Sequence, residues 1–284
     1  MAPTRLGLIG DNIARSQSPR LHVEAGRLCG LEVTYERLIP RDLGLAFDDV
    51  FALCVEQGFR GINVTYPYKE DVVPRLSVPD PTTAAIRACN TVLFGDGAPE
   101  GHNTDYSGFM AAFRSRFGLQ TPGRVAMAGA GGVGKAIAFG LAGLGARELR
   151  IFDRDPVRAR MLAASLAESG AGMRIAIAGS IEEATDHADG LLNCTPLGMA
   201  GYPGSAIAKP LLAGAAWAFD AVYTPVDTAF LRDAEEAGIE VMSGYELFFH
   251  QGVDAFRLFT GLEVDAVALR RVLGSADQRA QAPS

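Results

Sequence analysis

Two short polar clusters hold the side chains of this 284-residue chain best suited to proton chemistry. Asn63-Val-Thr-Tyr-Pro-Tyr-Lys69 ends on a lysine, and Gly101-His-Asn-Thr-Asp105 ends on an aspartate. An amine and a carboxylate can take a proton from a hydroxyl or return one to it. Lysine occurs only at positions 69, 135 and 209, with arginine supplying every other basic side chain. Arginine does not lose its proton at working pH, so the acid–base burden falls on the few lysines. Gly129-Ala-Gly-Gly-Val-Gly134 follows, a candidate cradle for a nucleotide. An acid–base pair beside a nucleotide cradle points to redox chemistry on a small polyol.

The glycine loop is specific because of its setting. Gly129, Gly131 and Gly134 form G-x-G-x-x-G directly after the apolar run Val125–Ala128 and before a helical pattern over Val133–Leu144. Glycines allow a tight turn and close backbone approach, and the helix N-terminus offers free N–H groups to a pyrophosphate. An acid, Asp153, stands nineteen residues beyond Gly134 at the end of the next apolar run, where it can accept ribose hydroxyls. That places NAD ahead of NADP, although Arg154 and Arg158 are suited to embrace a 2′-phosphate. The same stretch also reads G-x-x-x-x-G-K, but Ala136 follows where a triphosphate loop needs a hydroxyl for magnesium. Lys135 is expected to be an exposed lysine of the first helical turn.

Taken singly, the remaining motifs have plain structural readings. Ser16-x-Ser18-Pro19 is a helix start with serine as cap, Asn103-Thr-Asp105 a cap or turn, and Thr195-Pro-Leu-Gly198 a loop. Their joint order is what carries information. Ser16-x-Ser18-Pro19, Asn63–Lys69, Asn90-Thr91, Asn103-Thr-Asp105, Gly129-Ala-Gly-Gly, Asn193-x-Thr-Pro-x-Gly-Met199, Asp220-x-Val-Tyr223 and Gln251 succeed one another as in shikimate dehydrogenases. The resemblance runs from Gly7 to Gly261, and the ending His250–Gly261 is similar to the NAD-dependent quinate/shikimate dehydrogenase branch.

The resemblance implies oxidation of the C3 hydroxyl of shikimate to 3-dehydroshikimate, with hydride passing to a nicotinamide. It implies Lys69 and Asp105 as the proton-transfer pair. It assigns substrate contacts to Ser16, Ser18, Thr65, Asn90, Tyr223 and Gln251. Cofactor contacts fall to Gly129, Ala130, Gly131, Gly132, Val133, Asp153, Arg154, Arg158, Thr195, Pro196, Leu197, Met199, Ala221 and Gly244. Short polar side chains suit a polyol acid, since a site built to hydrogen-bond hydroxyls rejects analogues that lack them. Two departures bear on pocket shape. Arg87 precedes Ala88 where many members have glycine, and bulky Phe248 and Phe249 follow Ser243-Gly-Tyr-Glu246. Quinate or an aminoshikimate-type acid is the alternative substrate, and a non-catalytic dinucleotide or quinate sensor the alternative from another class. Retention of both Lys69 and Asp105 argues against the sensor. His102, His22 and His250 read as structural.

The elements that must position these residues alternate between short apolar runs and helical patterns, the signature of α/β folds with parallel sheets. Strands are expected near Leu6–Ile9, Val33–Leu38, Gly61–Val64 and Thr91–Phe94. A second series lies near Val125–Ala128, Glu148–Phe152, Arg174–Ala178, Gly190–Asn193, Ala216–Ala221 and Glu240–Met242. Six strands with intervening helices match a doubly wound Rossmann sheet. Residues 1–104 are expected to form the substrate-binding and catalytic domain, completed by 245–284, with 105–244 as the dinucleotide-binding domain. The last helical patterns, Tyr245–Phe259 and Val264–Leu273, should pack back on the first domain, and the polar tail Ser275–Ser284 should fray.

Bulk properties narrow the partners. The chain is 48% apolar with a formal charge of −7 and no basic stripe, which argues against nucleic acid. No apolar run approaches a membrane span, and no signal-peptide pattern opens the sequence. Cys29, Cys54, Cys89 and Cys194 are far apart and show no metal-ligand spacing, so no metal is expected and a reducing cytoplasm is. The assembly is expected to be a monomer or a homodimer.

Overall fold

A computed structural model describes residues 2–280. The chain divides into two compact units. One comprises the residues up to Thr104 with those from Gln251 onward, and the other spans Asp105–His250.

The first unit opens with β1 (Thr4–Ile9), α1 (Ser18–Leu28), β2 (Val33–Leu38), α2 (Pro40–Leu43), α3 (Phe47–Glu56) and β3 (Gly61–Val64). It continues with α4 (Pro81–Ile86), β4 (Thr91–Leu93) and β5 (Glu100–His102). The sheet order is β2-β1-β3-β4-β5. The first three strands are parallel, whereas β4 is antiparallel to both β3 and β5. The parallel alternation expected from the sequence therefore stops at β3. The link from Leu93 to Glu100 is a hairpin, too short for the crossover that parallel strands need. β5 was not expected at all, because Glu-Gly-His carries no apolar run. The last four residues of β1 are buried and all four of β3 are, as strands covered on both faces require. On α3, Phe47, Val50, Phe51 and Cys54 form one apolar stripe and join a core with Ile9, Ile62, Val64 and Phe94.

The second unit contains α5 (Thr104–Phe117) from Asp105 on, β6 (Arg124–Ala128), α6 (Gly132–Gly143), β7 (Glu148–Phe152), α7 (Pro156–Glu168), β8 (Arg174–Ile177), α8 (Ile181–Thr185) and β9 (Gly190–Asn193). It closes with β10 (Trp217–Asp220), α9 (Ala229–Glu236), β11 (Glu240–Met242) and the first turns of α10 (Gly244–Thr260). The sheet is fully parallel in the order β11-β10-β9-β6-β7-β8. This is the doubly wound arrangement anticipated from the sequence, and its strand order reverses between β6 and β9. Helix α6 is almost wholly buried, and its small residues let it lie close to neighbouring groups. A Cβ on Gly140 would come within 2.9 Å of the Phe109 ring on α5. Lys135 lies on this helix at 8% exposure, so the expectation of an exposed lysine is corrected by its buried setting.

α11 (Ala266–Ala280) belongs to the first unit and packs against α1, where the Arg20 guanidinium donates to the carbonyls of Val272 and Leu273. Its helical backbone runs through the first part of the tail expected to fray, and residues 281–284 lie outside those described. Among the described residues no helix is long and apolar enough to cross a membrane.

Candidate active site

In the first unit the candidate residues sit at strand and helix ends. α1 begins at Ser18, but its cap is not Ser18. The Ser16 hydroxyl accepts from the Ser18 N–H at 3.2 Å, and it also donates to the Ser18 hydroxyl at 3.1 Å. Both serines are buried, and the Arg37 guanidinium fixes the turn by donating to the Ser16 carbonyl at 2.8 Å. Two hydroxyls are thus presented together before a helix.

Thr65 follows β3 directly, its N–H bonded to the Ile9 carbonyl of β1. A Cβ on Gly10 would lie 2.3 Å from the Thr65 methyl, so the residue after β1 must be glycine for Thr65 to sit there. Tyr68 stacks on Phe47 and donates to Asp11 at 2.8 Å. Burial and then this carboxylate push its phenol up to about 12, keeping it a donor. The next residue, Lys69, accepts from the Cys89 N–H through its carbonyl at 2.8 Å. Its backbone is therefore anchored one residue before Asn90, the head of the next polar cluster.

Asn90 is almost fully enclosed. Its Oδ1 accepts from the Thr104 N–H at 2.8 Å, and its Nδ2 donates to the Thr104 hydroxyl at 3.0 Å and to Gln251 Oε1 at 3.5 Å. Beneath it runs a chain the sequence did not reveal. Tyr35 donates to Asn63 Oδ1 at 2.8 Å, and Asn63 Nδ2 donates to Thr91 Oγ1 at 3.0 Å and to the Asn90 carbonyl. Asn63 and Thr91 were visible as motif residues but had no role until pairing of β3 with β4 set them opposite each other. His22, read as structural, stacks on Tyr35 in the same core. Burial depresses it to about 3, so it stays neutral at physiological pH. His102 is also lowered, mainly by burial.

Asp105 belongs to the second unit, in the first turn of α5, and is buried at 5% exposure. The glycine loop leaves the carboxyl end of β6, one of the two strands flanking the reversal. Gly129 has φ +98°, a region that favours glycine, and a Cβ there would come within 2.7 Å of the Cys194 carbonyl after β9. A Cβ on Gly134 would approach the Gly129 carbonyl to 2.4 Å. Gly131 differs, since a Cβ there would meet only the Arg158 guanidinium, at 3.9 Å. Two glycines thus close the turn, while the third leaves open space at the start of α6 beside a cation. That combination fits a pyrophosphate at a helix N-terminus.

Asp153 follows β7 directly and braces the loop. Its Oδ2 accepts from the Ala130 N–H at 2.7 Å and its Oδ1 from the Asp155 N–H at 2.8 Å. Arg154 is exposed, and Arg158 is 3.8 Å from Asp155. The loop Thr195–Met199 leaves β9 on the other side of the reversal, held from below by Asn193. Ala221 follows β10, and Gly244 packs so closely that a Cβ would approach the Ala221 carbonyl to 2.7 Å. Tyr223 stacks on Phe248 with ring centroids 4.9 Å apart.

Comparison with known proteins adds an independent line. Residues 8–92 match the shikimate dehydrogenase substrate binding domain family. A quinate/shikimate dehydrogenase (NAD(+)) of Corynebacterium efficiens is 40% identical, over 93% of this chain and 95% of its own. A shikimate dehydrogenase (NADP(+)) of an Arthrobacter species is 38% identical, over 93% and 92%. Among solved structures, the quinate dehydrogenase of Corynebacterium glutamicum in complex with NAD superposes with a TM-score of 0.86 at 34% identity, covering 96% of this chain and 99% of that one. The shikimate 5-dehydrogenase of Thermus thermophilus in complex with NADP(H) and shikimate gives 0.81 at 33%, covering 94% and 97%.

Proposed function

Because the chain belongs to the shikimate dehydrogenase family, we propose that it interconverts shikimate and 3-dehydroshikimate with a nicotinamide dinucleotide, using Lys69 and Asp105 as the proton-transfer pair. The observation that carries the reading is the open, cation-flanked turn at Gly131, set where the strand order reverses, in a chain whose other unit matches a substrate-binding family. When bound there, the nicotinamide supplies a hydride acceptor in oxidation and a donor in reduction. In oxidation Lys69, as a neutral amine, takes the proton of the reacting hydroxyl. In reduction its ammonium returns that proton to the new alkoxide, and the Asp105 carboxylate orients the hydroxyl and balances the charge. Ser16 and Ser18 hold the ring carboxylate with Tyr223. Thr65, Asn90 and Gln251 read the ring hydroxyls.

NAD is the proposed cofactor because Asp153 keeps acceptor capacity for ribose hydroxyls after receiving the Ala130 and Asp155 N–H groups. NADP would instead draw on Arg154 and Arg158. Quinate is the second candidate substrate, favoured by the name of the Corynebacterium efficiens relative.

Steady-state oxidation of shikimate and quinate, each with NAD and NADP, tests this. Turnover with NAD on either acid is expected, and the ratio of the two names the substrate. Lys69→Ala should lower kcat by roughly 10²–10⁴-fold while substrate binding is largely kept. Turnover with NADP alone would overturn the cofactor assignment, and silence in all four pairs with dinucleotide still bound would point to a sensor or another polyol.

A further inference from the structure

A saturated hydrogen-bond network lies directly below the loop Thr195–Met199, built on two side chains to which the proposed mechanism gives no part. Asn193 and Asp220 end the neighbouring strands β9 and β10 and stand opposite each other in register. Both are completely enclosed. Asn193 Nδ2 donates to Asp220 Oδ1 and to the Leu197 carbonyl, each at 2.9 Å. Its Oδ1 accepts from the Thr195 N–H at 3.0 Å and from the Thr195 hydroxyl at 2.7 Å. The Thr195 hydroxyl accepts in turn from the Leu197 N–H at 3.2 Å. Asp220 Oδ1 also takes the Val222 N–H at 2.9 Å, and Oδ2 takes the Thr228 hydroxyl at 2.7 Å. Thr228 caps α9, so the network ties that helix to the loop through two strand ends.

An enclosed carboxylate without a cationic partner is an expensive way to secure a loop. The groups facing Asp220 are Asn193, Val222, Thr228 and the Cys194 thiol, none of them cationic. A merely structural link between two strands would be served as well by an apolar pair. The position explains the choice. Asp153, on the β6–β8 half of the sheet, is placed for the adenosine ribose, so the β9–β11 half faces the nicotinamide nucleotide.

We propose that Asn193 and Asp220 are a positioning pair for the dinucleotide, holding the loop Thr195–Met199 in the conformation that receives its nicotinamide half. Neither touches the ligand. They act by keeping the loop in its binding-competent state, and any fraction of time spent outside that state weakens apparent affinity in proportion. The inference rests on the dinucleotide reading above and is independent of which acid is the substrate.

The test is fluorescence titration of the protein with NADH and with NADPH, in the absence of any acid. Asn193→Ala and Asp220→Ala should each raise Kd roughly tenfold. Asp220→Asn, which keeps an oxygen facing Asn193 and Val222, should stay within about threefold of wild type. The double variant Asn193→Ala/Asp220→Ala should bind no worse than Asn193→Ala alone, because both changes free the same loop. Shikimate or quinate affinity should not move in any of them. A folded Asn193→Ala protein with wild-type Kd would overturn the proposal, as would an equal loss of acid and dinucleotide binding, which marks a general structural role. Should Asn193→Ala not fold, Thr228→Val removes the hydroxyl that Asp220 Oδ2 accepts from, at a residue with no cofactor contact assigned to it, and a severalfold rise in Kd is expected, with no change overturning the idea. Wild-type protein that binds NADH but oxidises neither acid sinks the proposed reaction and leaves the positioning pair standing. Wild-type protein that binds neither dinucleotide overturns both.

Discussion

Asp153 braces the glycine loop and, in the proposed function, also selects the cofactor, and separating the two is a question at the scale of the residue. Its oxygens already hold the Ala130 and Asp155 N–H groups, so alanine at this position would unbrace the glycine loop and weaken either cofactor. Asparagine keeps one oxygen for a backbone donor and removes the charge that, in the proposed function, would repel a 2′-phosphate. Asp153→Asn should therefore raise the ratio of kcat/KM for NADP over NAD about tenfold, a shift of ~1.4 kcal/mol in discrimination. An unchanged ratio, measured with the same acid and both cofactors, would mean that the carboxylate serves the loop alone. The sequence disclosed the position of this acid through its spacing from Gly134. It did not disclose the bond to Ala130, because that bond depends on how the turn folds back over β7.

The βα turn as an element separates folding from binding within one motif. Gly134→Ala places a methyl 2.4 Å from the Gly129 carbonyl, a backbone atom that can retreat only if α6 shifts on the sheet. Overpacking of this kind costs about 1–3 kcal/mol, so its thermal midpoint should fall and dinucleotide binding with it. Gly131→Ala meets nothing closer than 3.9 Å and adopts an ordinary φ of −78°. Its midpoint should match wild type while dinucleotide Kd rises, because the methyl occupies the space left for a pyrophosphate. Equal midpoints for both variants, or unchanged Kd in Gly131→Ala, would contradict this division.

The pattern explains what was legible. Spacing, apolar runs and glycine signatures are local, and they located all six strands of the second sheet to within a residue at either end. β5 and the bond from the Ser18 N–H to the Ser16 hydroxyl are local, but Glu-Gly-His carries no apolar run and Ser18-Pro19 reads equally well as a cap and first turn. The buried setting of Lys135 is not local, because it depends on what other parts of the chain pack around α6. The same holds for the Asn193–Asp220 pair, since only strand order sets Asp220 beside Asn193, twenty-seven residues away.

At the scale of the molecule the two units respond to acid in opposite directions. His22, in the first unit, is held by burial near 3, below its ordinary 6.5. Its folded form therefore resists protonation, and the stability it contributes is present above pH 6.5 and lost as pH falls toward 3. The full loss is on the order of 5 kcal/mol. His102, in the same unit, is shifted in the same direction. Asp220, in the second unit, is raised by burial to about 6 from 3.8. Here the folded form welcomes the proton, so its contribution is complete below pH 3.8 and is lost as pH rises through 6, by about 3 kcal/mol. Acidification from pH 7 to 4.5 thus weakens the first unit while relieving the second. Trp217, the chain's only tryptophan, lies buried in β10 and donates to the Pro122 carbonyl, so its fluorescence reports on the second unit alone. Far-ultraviolet circular dichroism reports on both. Thermal or urea unfolding at pH 4.5 should accordingly show the dichroism signal breaking before tryptophan fluorescence, whereas at pH 7.5 the two transitions should lie closer together. His22→Gln should shrink the gap at pH 4.5, because glutamine takes up no proton there. Coincident transitions at both pH values would show that the units unfold as one, and that the opposed titrations are absorbed in a single cooperative step.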